Sequence, residues 1–294
     1  MMIRTFLLRL WWVLTTPFRW IAKPFRAIRA FIFYEPEDTP VTDVFSRTIE
    51  NPSVLIEHIE ALRRHLFRAL IALVITVGIS TVFAARILDW LAQPVGGIDA
   101  LRAIEVTESI GAFMRVSLMG GFVLALPYIG FELFAFIHPG LQPRERVLFL
   151  ITIPIATLLF VLGAAFAFKI MLPVALPFLL EFLGIVTTPR PANYIRFVTG
   201  VMFWVGMAFQ FPLIMYALAA VGIIQARTLI VGWRFAILGI AVLAAMITPT
   251  VDPVNMALVM APMIALYFIG IGLAALAQRG RERRSEQNLT ADLR

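Results

Sequence analysis

Few side chains in this sequence could do chemistry. The densest polar group is His138-Pro139-Gly140-Leu141-Gln142-Pro143-Arg144-Glu145-Arg146, with one acid between two arginines. A carboxylate there can receive an incoming guanidinium or balance its own neighbours. The triplet alone favours local balance at the solvated tip of a helix hairpin. Glu60 has Arg64 four residues on, the spacing of a helix-surface pair worth roughly 0.3 kcal/mol. Glu132, in GFELFAF, falls within a turn or two of a membrane interface. Snorkelling to water is the favoured reading there over a proton relay. Gln210 immediately precedes Phe211 and Pro212. An amide buried in hydrocarbon needs a hydrogen-bonding partner, and Pro212 frees a backbone carbonyl one turn earlier. A kink within its own helix and a contact with a partner helix are equal readings.

Catalytic chemistry has little to build on. The histidines are His58, His65 and His138, and the first two are seven residues apart, without metalloprotease spacing. No nucleophile with a base partner is readable, and the chain contains no cysteine. No glycine-rich phosphate loop is present, so neither a metal, a cofactor nor direct ATP hydrolysis is expected.

The elements that must position these residues are membrane helices. Hydrophobic residues make up 61% of the 294, charged residues 15%, and the mean hydropathy is +0.89, an integral membrane composition. The net charge of +7 is nearly all arginine, which bears on topology and anionic lipid, not nucleic acid. Residues 1–34 carry Arg4, Arg9, Arg19, Lys23, Arg26 and Arg29 beside Trp11, Trp12 and Trp20. Phe18, Ile21, Phe25, Ile28 and Ile32 step along one helical face, so an amphipathic interfacial segment on anionic lipid is expected. Arg9 interrupts the apolar run that a secretory signal would need. Residues 35–52 read as an acidic, proline-containing linker, 53–278 as the membrane domain and 279–294 as a basic tail.

Spans are expected at about 67–85, 113–136, 147–168 and 198–223. Arg234 leaves only Phe235 to Ile247 for a fifth, about 20 Å of helix against a ~30 Å hydrocarbon core. Thr248-Pro249-Thr250-Val251-Asp252-Pro253 then turns the chain, and the return from Val254 carries Pro262 inside it. The expected fold is an all-α membrane protein of six transmembrane helices, the last two short. The basic residues set both termini in the cytoplasm. Arg63, Arg64, Arg68, Arg144, Arg146, Arg227, Arg234 and the tail arginines would share that side with the N-terminal segment.

In order along the chain, HIEALRRHL, PYIGFELFAFIHPGLQPRERVLFL, LLFVLGAAFAFKIMLPVALPFL, NYIRFV, FQFP and TPTVDPVNMALVMAPM resemble the TatC family, the multispanning core of the twin-arginine protein translocase. The resemblance covers about Leu55 to Gln278. It implies a non-enzymatic inner-membrane receptor that binds twin-arginine signal peptides of folded cargo. It also implies partners like the single-span TatA and TatB, export driven by the proton gradient, and room for a homo-oligomer within the complex. The implied peptide-binding residues are Glu145, Glu60, Arg63, His58, Phe136, Arg144 and Arg146. Gln210, with Phe211 and Pro212, matches the family's partner-helix position, and Glu132, Pro139, Gly140 and Asp252 match other family positions.

Departures are visible too. The family reads His-Leu-x-Glu-Leu-Arg, whereas this chain has His58-Ile59-Glu60-Ala61-Leu62-Arg63. The acid comes one place early, about 100° round a helix. Glu132 stands where the family usually has Gln, and Asn255 and Met256 replace Ser/Thr-Gln. An ion- or proton-coupled small-solute transporter is the alternative reading. That class carries internal repeats and midplane charges, and neither is readable here.

Overall fold

The computed structural model describes residues 52–138, 143–181, 188–248 and 253–292. Among them every regular element is helical. Helix α1 covers Pro52–Ala92, α2 Glu108–Ile137 and α3 Pro143–Phe166. A π-helical turn at Ala167–Met171 joins α3 to α4, Leu172–Leu180. Then follow α5, Pro191–Ala208, α6, Phe211–Val221, and the short α7, Ala226–Val231. Helix α8 is Trp233–Ile247 and α9 is Pro253–Asp292. The segments 1–34 and 35–52 expected from sequence lie almost wholly outside the described residues, as do Pro139, Gly140 and Asp252.

Five stretches are long and apolar enough to cross a membrane: Ile56–Val95, Glu108–Ile137, Phe149–Leu180, Pro191–Ala220 and Met256–Gly280. Trp233–Ile247 is a sixth, shorter apolar helix. Its 15 residues rise about 22 Å, short of a ~30 Å core. The expectation that the last two helices are both short holds only for α8. Helix α9 runs unbroken for 40 residues, and its apolar stretch alone is 25. Pro262 lies inside it without ending it. The proline removes one intrahelical bond, whereas a helix end in hydrocarbon would strand several backbone groups.

The chain divides into two compact units. The first comprises Met1–Phe67 and Phe131–Ile151, the second Arg68–Gly130 and Thr152–Arg294. In the second unit, small residues let helices touch backbone to backbone, which substitutes for a hydrophobic driving force that lipid does not supply. A Cβ added at Gly121 would come within 2.5 Å of the Val77 Cα, and one at Gly163 within 2.9 Å of the Gly206 Cα. One core of this unit joins Val201, Val205 and Ala208 to Ile240, Ala244, Val259 and Met263. A second joins Ala84 and Leu91 to Phe168, Leu172, Tyr194 and Ile195.

The fourth span is broken. Helix α5 stops at Ala208, Phe209 and Gln210 form a turn, and α6 starts with Pro212 in its first turn, where a missing N–H costs nothing. Elsewhere in the unit, Arg190 gathers two acids at the start of α2, Glu105 before it and Glu108 as its first residue. Its Nε donates to Glu108 Oε1 at 2.9 Å and its Nη2 to Glu105 Oε1 at 3.1 Å, with Nη2 also on Glu108 Oε1. The Arg102 N–H donates to the Pro189 carbonyl at 3.1 Å, so residues 102–108 and 189–190 are held together by backbone and charge. Glu108 first, then Glu105, holds the Arg190 guanidinium above its ordinary pKa.

Candidate functional site

Most of the expected ligand-binding residues fall in the first unit. Helix α1 carries His58 and His65 seven residues apart, two turns on one face. The final turns of α2 carry Glu132 and Phe136 four apart, again on one face. These two faces meet. His65 Nδ1 lies 2.6 Å from Glu132 Oε2, with the carboxylate accepting. The His58 and Phe136 rings are 4.6 Å apart and tilted by 38°, and His65 meets Phe136 edge-on at 6.2 Å. One phenyl ring therefore sits between two imidazoles, with a carboxylate beside the second.

Burial separates these groups. Glu132 is 4% exposed, whereas the side chain of His65 is 21% exposed and is the outer member of the pair. Phe134 of α2 and His138, just past its end, are both buried and meet edge-on at 5.5 Å. Arg146 is buried too, at 1% exposure. The sequence had set it on a solvated tip. A guanidinium keeps its charge when buried, so such burial requires hydrogen-bonding partners.

The acids expected to bind ligand are placed unequally. Glu60 is open to solvent and pairs with Arg63 at 2.6 Å, not with Arg64 as its four-residue spacing had led one to expect. Arg63 is 75% exposed, so this is a screened surface pair of small worth. Glu145 is the third residue of α3, which opens on Pro143. Proline at the first position and an acid in the first turn both suit a helix start. The side chains of Arg144 and Glu145 lie outside the described residues.

Gln210, Phe211 and Pro212 belong to the second unit. Gln210 Nε2 donates to the Ala156 carbonyl of α3 at 3.0 Å and reaches the Gly206 carbonyl at 3.5 Å. The side chain thus binds a neighbouring helix as well as its own.

What the sequence reading missed is the His65–Glu132 pair. The seven-residue spacing had been tested only against metal-binding patterns, yet the same spacing marks two positions of one helix face. Among the described residues no cluster of His, Asp and Glu fits a metal ion.

Comparison with known proteins agrees with this architecture. Residues 57–262 match the family described as Sec-independent protein translocase protein (TatC). The TatC protein of Deinococcus radiodurans is 36% identical over 75% of this chain and 85% of its own length. That of Carboxydothermus hydrogenoformans is 35% identical over 76% and 94%, and that of Aquifex aeolicus 33% over 78% and 97%. A crystal structure described as the twin arginine translocase receptor TatC superposes with a TM-score of 0.67 at 33% identity. It covers 75% of this chain and 99% of its own. The chain belongs to the TatC family of Sec-independent translocase proteins, membrane components of protein transport.

Proposed function

We propose that this chain is the receptor core of a twin-arginine translocase, with both termini in the cytoplasm. It takes the paired arginines of a signal peptide at the first unit and then recruits single-span partner subunits. The observation that carries this reading is the gathering, in one compact unit, of Glu60, Glu132, two imidazoles around Phe136 and the helix start that bears Glu145. A carboxylate at a low-dielectric rim accepts a guanidinium through two parallel hydrogen bonds, which an ammonium group cannot reproduce. Arginine is thereby favoured over lysine.

Orientation rests on the basic residues. Arg63, Arg64, Arg68, Arg144, Arg146, Arg227 and Arg234 share a side with the basic residues of 1–34 and of the tail from 279 to 294. That basic first segment is suited to anionic lipid of the inner leaflet. Removing residues 1–34 should weaken lipid association of this arm and leave the topology of the spans unchanged. Export would draw on the proton gradient.

The test is crosslinking of a twin-arginine signal peptide to the full chain in membranes. Glu145→Ala should abolish the crosslinks formed near residues 139–146. Crosslinking that persists at wild-type yield would remove Glu145 from the receptor role.

A further inference from the structure

We infer that the second unit carries a binding site for the phosphate of an anionic phospholipid, formed by Lys169 and Trp90 where the third apolar stretch leaves the hydrocarbon. The site is independent of the receptor reading and uses residues that reading does not touch.

It starts from a lysine without a counter-charge. From Phe149, where the third stretch begins, the helix rises about 30 Å to Lys169, the thickness of the hydrocarbon core. Lys169 therefore stands at a headgroup layer, the one opposite to that of Phe149. It lies in the π-helical turn Ala167–Met171, an irregularity frequent at functional sites. Its ammonium nitrogen is 5.8 Å from the centre of the Trp90 ring and 5.7 Å from that of Phe168, within cation–π range. The two rings are 4.0 Å apart, and Phe168 is buried in a core of the unit, so the base under the ammonium is fixed. Ring faces position the charge without neutralising it, and an ammonium has three N–H donors to offer.

The rim around it stays positive. Arg86 is exposed and lies one turn before Trp90 on the same face of α1. Among the described residues neither Lys169 nor Arg86 forms an ion pair, and Asp89, exposed beside Trp90, comes within ion-pair distance of neither. Two cations face one acid.

The ligand class follows from what surrounds the charge. Trp90 is exposed, as are Phe83, two turns earlier on its face of α1, and Ile170 beside Lys169. A free anion would use the cation and leave this apolar surface uncovered. A phospholipid satisfies both, with its phosphate at Lys169, the indole at headgroup level and acyl chains along Phe83 and Ile170. An anionic headgroup is favoured, because a zwitterionic lipid carries its own cation beside the phosphate and gains less from the lysine.

The experiment uses the full chain in phosphatidylcholine nanodiscs with a minor fraction of phosphatidylglycerol, one lipid at a time bearing a photoreactive acyl chain. Crosslinks from phosphatidylglycerol to wild-type chain should map to residues 83–90 and 167–170 and exceed those from phosphatidylcholine, at equal amounts of probe, by about tenfold, the scale of a charge-assisted hydrogen bond. Lys169→Gln should lower them about tenfold, and Lys169→Arg should keep them. Arg102→Gln removes the same charge from an exposed position outside the cluster and should change them by less than about twofold. Excess inorganic phosphate should not compete.

Equal crosslinking by the two lipids, or crosslinks from wild-type chain that map elsewhere, would overturn the inference without any variant. Equal losses in Lys169→Gln and Arg102→Gln would reduce the effect to net charge and overturn it as well, as would a loss in Lys169→Arg as large as in Lys169→Gln. Competition by inorganic phosphate would assign the cation to a free anion and overturn the lipid assignment.

Discussion

The side-chain amide of Gln210 donates to the backbone carbonyl of Ala156 at 3.0 Å, joining the broken fourth span to the third. Residue 210 sits in the turn between α5 and α6. Pro212 has no N–H for the carbonyl four residues earlier, at Ala208, so this break has fewer intrahelical bonds than a regular turn. In hydrocarbon such a site is tolerated only where neighbouring helices satisfy it. The bond to Ala156 does not reach the Ala208 carbonyl; it ties the break to α3, and only the longer reach to Gly206 stays within the helix's own chain segment.

Gln210→Leu should accordingly do two things. It removes the bond to Ala156, and membrane hydrogen bonds between helices are worth about 0.6 kcal/mol on average. A stability loss of roughly that size is expected in a refolding or steric-trapping measurement. If the same amide also meets a single-span partner, recruitment of that partner should fall well beyond what this modest loss explains. Normal recruitment with reduced stability would confine Gln210 to the chain's own fold.

Glycine substitutions should separate close helix contacts from open ones. A Cβ at Gly163 would stand 2.8 Å from the Phe209 ring and 2.9 Å from the Gly206 Cα. One at Gly200 meets nothing within 4 Å. Overpacking costs about 1–3 kcal/mol, whereas a helical Gly→Ala change in open space gains up to roughly 1 kcal/mol. Gly163→Ala should therefore lower the unfolding midpoint and Gly200→Ala should hold or raise it. Equal effects of the two would argue against close approach of α3 and α5.

This contrast marks what the sequence could and could not convey. The existence of the spans was readable because hydrocarbon demands runs of apolar residues, and Arg234 limited the fifth by charge alone. Which glycines lie at contacts was not readable, because Gly163 and Gly200 look alike until a partner helix is placed. Spacing also could not rank Arg63 against Arg64 as the partner of Glu60, since three and four residues on are both within reach. Pro262 was readable as lying inside the returning helix, and α9 does continue through it, because ending it in lipid would cost more than one lost bond. For the receptor site, each member of the His58–Phe136–His65–Glu132 group was visible as a residue. Their meeting depends on how α1 lies against α2 within the first unit, which no local pattern encodes.

Arg190 and Glu108 should prove mutually dependent. Glu108 is 4% exposed, its Oε2 is buried without a hydrogen-bond partner among the described residues, and Arg190 neutralises the carboxylate through Oε1. Arg190→Gln should lower the thermal midpoint clearly, and adding Glu108→Gln should recover part of the loss, because the buried charge goes with its partner. Glu105→Gln, at an acid 68% exposed, should have a small effect. Additive losses in the double variant would show that the two residues act independently.

The short α8 makes a prediction about the bilayer around it. Its 15 residues rise about 22 Å, so the ~30 Å hydrocarbon layer must thin beside it, or a partner must shelter its ends. Phe235 and Met246 are both largely exposed, at 81% and 75%, and lie near opposite ends of this helix. Leu162, half exposed within α3, serves as the control. The chain has no cysteine, so single-cysteine variants label without background. With a membrane-impermeant maleimide applied to one side at a time, Phe235→Cys and Met246→Cys should label from opposite sides. Leu162→Cys should stay unreactive from both. If Met246→Cys is as protected as Leu162→Cys, the bilayer is not thinned at α8. Protection of both α8 cysteines that disappears on extraction into detergent would instead assign the shelter to a partner helix.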